Sequence, residues 1–189
     1  AGSLLAILNW PFALEAPVRH SLESLKVMTN YSISIRQLFE GQWVWSEDLP
    51  GYYPLKYILI STPIVIIIGF GIQFLIWKRS KTLLLVLMNF VVLFPIAWVI
   101  IKGSNLYGAW RHLLFVYPAF AILSACSWDE LLRLKKSIIL KMSLAGFILI
   151  GLAGPLVHII KYHPVEYLYF NKFVGGVSGA FDKYETDYY

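Results

Sequence analysis

The chain has 189 residues, 58% of them hydrophobic, a mean hydropathy of +0.65 and a formal charge of +5. That apolar share lies above the roughly half of soluble domains and argues against an ordinary water-soluble fold. The cations sit at the ends of apolar runs, where headgroups account for them, so the charge gives no case for nucleic-acid binding.

In chain order, residues 4–14 read as the end of an apolar helix. The chain opens at Ala1 within apolar sequence, with neither the basic region nor the cleavage site of a signal peptide, so an N-terminal portion is expected to precede it. Residues 15–53 form a long segment that begins as an amphipathic helix. Pro17 stands at a permissible first-turn position, Val18, Leu22 and Leu25 recur at helical spacing, and Arg19 and Glu23 make an i,i+4 pair. Residues 39–54 follow as a loop broken by Gly and Pro and rich in Trp, Tyr and carboxylates.

Residues 55–77, 82–101 and 138–160 are each long enough to cross a hydrocarbon core of about 30 Å, with Lys141 placed to snorkel. Residues 113–128 form a shorter span that draws on the 107–112 approach. Pro63, Pro95, Pro118 and Pro155 predict kinked spans. Gly69, Gly71, Gly146, Gly151 and Gly154 offer close helix packing, and Asn89 reads as an interhelical hydrogen bond. The fold class expected is an all-α integral-membrane bundle, with a membrane domain over 1–162 and a juxtamembrane tail over 163–189.

Two loops rich in cations, Lys78-Arg79-Ser80-Lys81 and Arg133 to Lys136, lie two spans apart and are expected in the cytoplasm. The stretches 39–54, 104–112 and 163–189 then emerge together on the outer side. A lone cysteine, Cys126, offers neither a disulfide nor a metal set. No zinc-protease, paired-cysteine or phosphate-loop motif occurs.

Three blocks carry a resemblance. Glu40-Gly41-Gln42, Leu49-Pro50-Gly51-Tyr52-Tyr53-Pro54 and Ile60-Ser61-Thr62-Pro63 resemble the late outward loop and following helix of family 39 glycosyltransferases, the GT-C-fold group that includes protein O-mannosyltransferases and the lipid A aminoarabinose transferase. The run Asn105 to Pro118, with Trp110-Arg111-His112, and the run His163 to Asn171, followed by Gly175-Gly176 and Glu185-Thr186-Asp187, agree in order. The resemblance covers the chain from about Trp10 onwards and is to the C-terminal part of a bacterial member. It implies an enzyme of the cytoplasmic membrane that moves a sugar from a polyprenyl-phosphate carrier to an acceptor, with no metal or cofactor required. It also implies that the catalytic carboxylate belongs to an earlier outward loop absent from these residues, so no catalytic residue is expected here and the segment alone is expected to be inactive.

Arg111 is the residue suited to the carrier phosphate, because a planar guanidinium matches phosphate oxygens and the residue opens a span, with His112 as a second donor. Snorkelling beside Trp110 and Tyr107 explains Arg111 equally well. Glu47, Asp48, Tyr52, Tyr53 and Tyr107 are the substrate-loop candidates. Adjacent Glu47 and Asp48 project to opposite sides of an extended loop and make a poor catalytic pair. Tyr167, Tyr169 and Phe170 read as an interfacial girdle, with Asn171 turning the chain, His158 and His163 marking the water boundary, and Glu185 and Asp187 undecided. The other reading is a transport or scaffold subunit, whose polar groups would lie at mid-membrane. Partners expected are the lipid-linked donor, membrane lipids, an unidentified acceptor and the N-terminal half of the same protein.

Overall fold

A computed structural model describes residues 10–29, 34–76 and 82–186. The first apolar residues, the Lys78-Arg79-Ser80-Lys81 turn and Asp187 lie outside the described residues. The chain divides into two compact units, Ala1–Ser34 and Ile35–Tyr189.

The first unit holds α1 (Pro11–Glu15) and α2 (Pro17–Thr29). A proline opens each, where its missing N–H costs nothing. His20 ties them together, its ring stacked on Phe12 at 4.1 Å and its Nδ1 2.6 Å from the Phe12 carbonyl oxygen. The expected Arg19–Glu23 pair forms at 2.9 Å. Val18, Leu22 and Leu25 are exposed along α2.

The described chain is mostly helical, as the fold class expected, and the second unit opens on a hairpin that an all-α fold lacks. Strands β1 (Arg36–Phe39) and β2 (Gln42–Trp45) pair antiparallel, with Arg36 opposite Trp45 and Phe39 opposite Gln42. Glu40 and Gly41 make the two-residue turn at φ of 53° and 81°, the left-handed geometry that matches strand twist. Gln37 and Phe39 are buried while Trp43 and Trp45 face out. The tail adds to the free edge of β1. Phe39 and Tyr184 form an antiparallel bridge, flanked by hydrogen bonds from Gly41 N–H to Lys183 O and from Glu185 N–H to Leu38 O.

Helices α3 (Tyr53–Ser61) and α4 (Ile64–Ile76) replace the single span expected over 55–77. They bend by 117° at Thr62-Pro63. Proline pushes its predecessor out of the helical region, and Thr62 is extended at ψ 140°. Pro63 also withholds the donor that the Leu59 carbonyl would take. Helix α5 (Leu83–Lys102) matches the expected span over 82–101 and is opened by Thr82, whose Oγ1 accepts the Leu85 N–H.

The span expected over 113–128 is displaced. A 3-10 turn, Arg111–Val116, precedes α6 (Tyr117–Leu134), whose last turns carry Asp129, Glu130 and Arg133. Pro118 falls in its first turn, where it bends nothing. Helix α7 (Ile138–Tyr162) matches the last expected span and has no buried residue. Among the described residues, α5 and α7 are the two single helices long and apolar enough to cross a membrane, and α3 with α4 pass only as a bent pair. A short helix, α8 (Gly176–Ala180), closes the tail.

Close packing of α4 on α6 rests on Gly69, where a Cβ would collide with Ser124 Oγ and the Trp128 indole. Trp128 Nε1 donates to Val65 O at 3.0 Å across the same contact. Asn89 on α5 donates to Gln73 Oε1 on α4 at 3.1 Å, the interhelical hydrogen bond expected of it.

Candidate functional site

Buried polar side chains draw the three polar stretches together. Gln37 of the hairpin is 1% exposed, and its Oε1 accepts the Gly108 N–H at 2.8 Å. The Tyr53 hydroxyl accepts the Ala109 N–H at 3.1 Å. These two contacts pin the 104–110 loop to the hairpin and to the start of α3. The tail is held as firmly. Tyr57 OH accepts the Glu185 N–H at 3.1 Å, and Glu185 Oε2 accepts the Leu38 N–H at 3.2 Å. Phe39, Tyr53, Tyr57, Phe170 and Tyr184 pack as an aromatic core beneath them.

Asn171 answers the break in the first span. Its Nδ2 donates to Leu59 O at 2.6 Å and to Thr62 O at 2.8 Å, and its backbone N–H donates to Ile60 O at 2.7 Å. The carbonyl that Pro63 leaves without a donor is therefore served from the tail. One step earlier, Ser61 Oγ accepts the Trp110 Nε1–H at 2.8 Å and donates to Tyr57 O at 2.6 Å.

Beside this junction lies a cavity of about 570 Å³, lined by Ser61, Trp110, Arg111, Leu114, Tyr117, Tyr167 and Tyr169. The α3 break supplies Ser61, the 3-10 turn and its approach supply Trp110, Arg111 and Leu114, and the tail supplies two tyrosines. Arg111 is set by its loop. Gly108 takes φ +61°, and a Cβ there would stand 3.1 Å from Arg111 Nε, so the absence of a side chain lets the arginine lie back along the turn. The guanidinium sits 5.0 Å over the Tyr107 ring. The wall combines a cation, phenols and an indole with Leu114, and among the described residues no carboxylate lines it. Such a lining suits an anion carried on an apolar tail. Burial raises the Tyr169 phenol above its ordinary value, which keeps it a neutral donor.

The other expected residues distribute differently. His112 lies outside the cavity lining and packs edge-on to Tyr107 at 4.7 Å, and partial burial, then Arg111, lowers its pKa. Glu47 and Tyr53 line a second, smaller cavity of about 190 Å³ against the end of α5, with Tyr53 itself almost wholly buried. Asp48 is exposed in the turn after β2. Tyr52 donates to Glu40 Oε2 at 3.1 Å, and Glu40 also pairs with Lys56 at 3.1 Å. Sequence reasoning missed Ser61, Tyr117 and Asn171 as site-building residues. Tyr167 and Tyr169, expected in a girdle, line the cavity, and Phe170 is core. His163 pairs with Glu166 at 3.0 Å, and a backbone hydrogen bond first, then that contact, holds the Glu166 carboxyl below its ordinary range. No group of three or more metal-ligating side chains occurs among the described residues.

No family model, curated protein or solved structure matches the chain.

Proposed function

We propose that this chain is the C-terminal part of a GT-C-type glycosyltransferase of the bacterial cytoplasmic membrane, using a polyprenyl-phosphate sugar as donor and an extracytoplasmic acceptor. The observation that carries the reading is the cavity holding Arg111 between Trp110, Tyr117, Tyr167 and Tyr169 at the junction of the three polar stretches. Its apolar wall suits an isoprenoid tail, and its guanidinium suits the phosphate at the head of that tail. Transfer breaks the bond between the anomeric carbon and the phosphate oxygen and forms one to the acceptor oxygen. Negative charge then grows on the departing phosphate, where a fixed cation lowers the barrier most.

Among the described residues, no acid lines the cavity. The base that takes the acceptor proton is assigned, on the family resemblance, to a preceding part of the enzyme. The transport reading finds less support, because Gln73 on α4 and Asn89 on α5 are buried and bond to each other. The test is binding of undecaprenyl phosphate to the purified chain in nanodiscs. Arg111→Ala should lose about 1.5–3 kcal/mol, the worth of a charged hydrogen bond, and Arg111→Lys should recover only part. Equal affinity in all three proteins would reduce Arg111 to an anchor and remove the main support for the reading.

A further inference from the structure

Three cations at the junction end of the second unit lie against aromatic faces. Arg36 stands 5.2 Å over the Trp45 ring, Lys102 5.2 Å from the centre of Trp98, and Lys161 5.2 Å over Tyr162. Each aromatic partner is about half exposed, at 44%, 52% and 43%. Lys102 ends α5 and Lys161 lies in the last turn of α7, the two single helices apolar enough to cross a membrane. Both helix ends reach the junction. Val99, Ile100 and Gly103 line the small cavity with the 46–54 loop, and His158 packs edge-on to Tyr169 at 5.3 Å.

At this end Glu40 pairs with Lys56 and Glu166 with His163, while Glu47 lines the small cavity beside the end of α5. Among the described residues, none of the three rim cations forms an ion pair. By contrast Arg133, at the far end of α6, is paired with Asp129 at 2.8 Å. Indole and phenol rings favour the headgroup depth of a bilayer, and a cation held on such a ring stays at that depth instead of extending into water.

We propose that this rim is a binding surface for anionic phospholipid headgroups, phosphatidylglycerol in type, each rim cation meeting a headgroup phosphate while its aromatic partner sits among the glycerol and upper acyl carbons. The proposal is independent of the glycosyltransferase reading and concerns the lipids around the protein, not the occupant of the Arg111 cavity. Charge complementarity supplies the selectivity, at about fivefold per cation near the surface.

The test reconstitutes the purified chain in nanodiscs of equimolar phosphatidylcholine and phosphatidylglycerol and counts the lipids it retains by native mass spectrometry. The wild type should retain phosphatidylglycerol several-fold over phosphatidylcholine. The variant Arg36→Gln, Lys102→Gln, Lys161→Gln should fall to near parity, with an unchanged unfolding midpoint in phosphatidylcholine and unchanged binding of polyprenyl phosphate. Arg133→Gln should keep the wild-type preference. Should the triple variant fold poorly, Lys102→Gln alone should lower the preference to a value between those of the wild type and parity. A wild type without preference, rim variants that keep it, or an equal loss in Arg133→Gln would overturn the proposal.

Discussion

Asn171 shows how much one side chain can organise. It is 2% exposed and serves the Leu59 and Thr62 carbonyls at the Thr62-Pro63 bend, while its own Oδ1 caps the following turn through the Phe173 N–H. Asn171→Ala leaves buried carbonyls without donors, at about 1–3 kcal/mol each. The expected outcome is a clear fall in unfolding free energy in detergent. Asn171→Asp should do no better than Ala, because a carboxylate has no N–H to give. Rescue by Asp would show that the two donor contacts are unimportant. Gly108 is the second such residue. Gly108→Ala places a Cβ 3.1 Å from Arg111 Nε in a left-handed backbone, so it should cost about 1 kcal/mol and weaken polyprenyl-phosphate binding by moving the guanidinium. At His112 the lowered pKa means that the unfolded chain takes up the proton first. Its contribution to stability is full above the ordinary value of 6.5 and is lost as pH falls below it. The difference between the unfolding midpoints of wild type and His112→Gln should therefore be constant above pH 6.5, and the wild type should lose stability relative to the variant as pH falls below it.

Helices α4 and α6 carry the tightest contact between elements, and two glycines on α4 separate packing from propensity. Gly69 faces Ser124 and Trp128 with no room for a Cβ, whereas a Cβ on Gly71 meets nothing within 4 Å. Gly69→Val should destabilise by about 1–3 kcal/mol through overpacking, and Gly71→Val should be near neutral, both read from denaturant unfolding in micelles. Equal effects would mean that backbone freedom, not the α4–α6 contact, sets the cost. The same scale explains what could be read beforehand. Helices α5 and α7 were legible because each is a long and strongly apolar run. The bend between α3 and α4 was not, since hydropathy carries length and no angle, although Pro63 marked its place. The hairpin was legible in principle. Arg36-Gln37-Leu38-Phe39 and Gln42-Trp43-Val44-Trp45 flank a two-residue turn ending in Gly41, but the surrounding Gly and Pro suggested irregular loop instead. Arg111 was singled out by its chemistry, and it opens a 3-10 turn ahead of α6 instead of the span expected there. Asn171 and Ser61 were not, because their partners lie 49 to 112 residues away in sequence.

At the scale of the whole molecule, the three polar stretches that alternate with apolar runs meet in one compact end, stitched by Gln37, Tyr53, Tyr57 and Asn171. A membrane reading requires that end to lie on one side, with the cation-rich loops on the other. Single cysteines at positions 80 and 104, in a Cys126→Ser background, test this in intact cells with an impermeant thiol reagent. Position 104 should label and position 80 should not, and equal or reversed labelling would overturn the orientation. The most direct test of the central claim is a photoactivatable polyprenyl phosphate bearing its reactive group beside the phosphate, crosslinked to the chain in nanodiscs and mapped by peptide mass spectrometry. Adducts should concentrate at residues 110–117 and 167–169, be competed away by unlabelled polyprenyl phosphate, and fall sharply in Arg111→Ala. Adducts spread along the outer faces of α5 and α7, indifferent to competitor and to Arg111, would contradict the account.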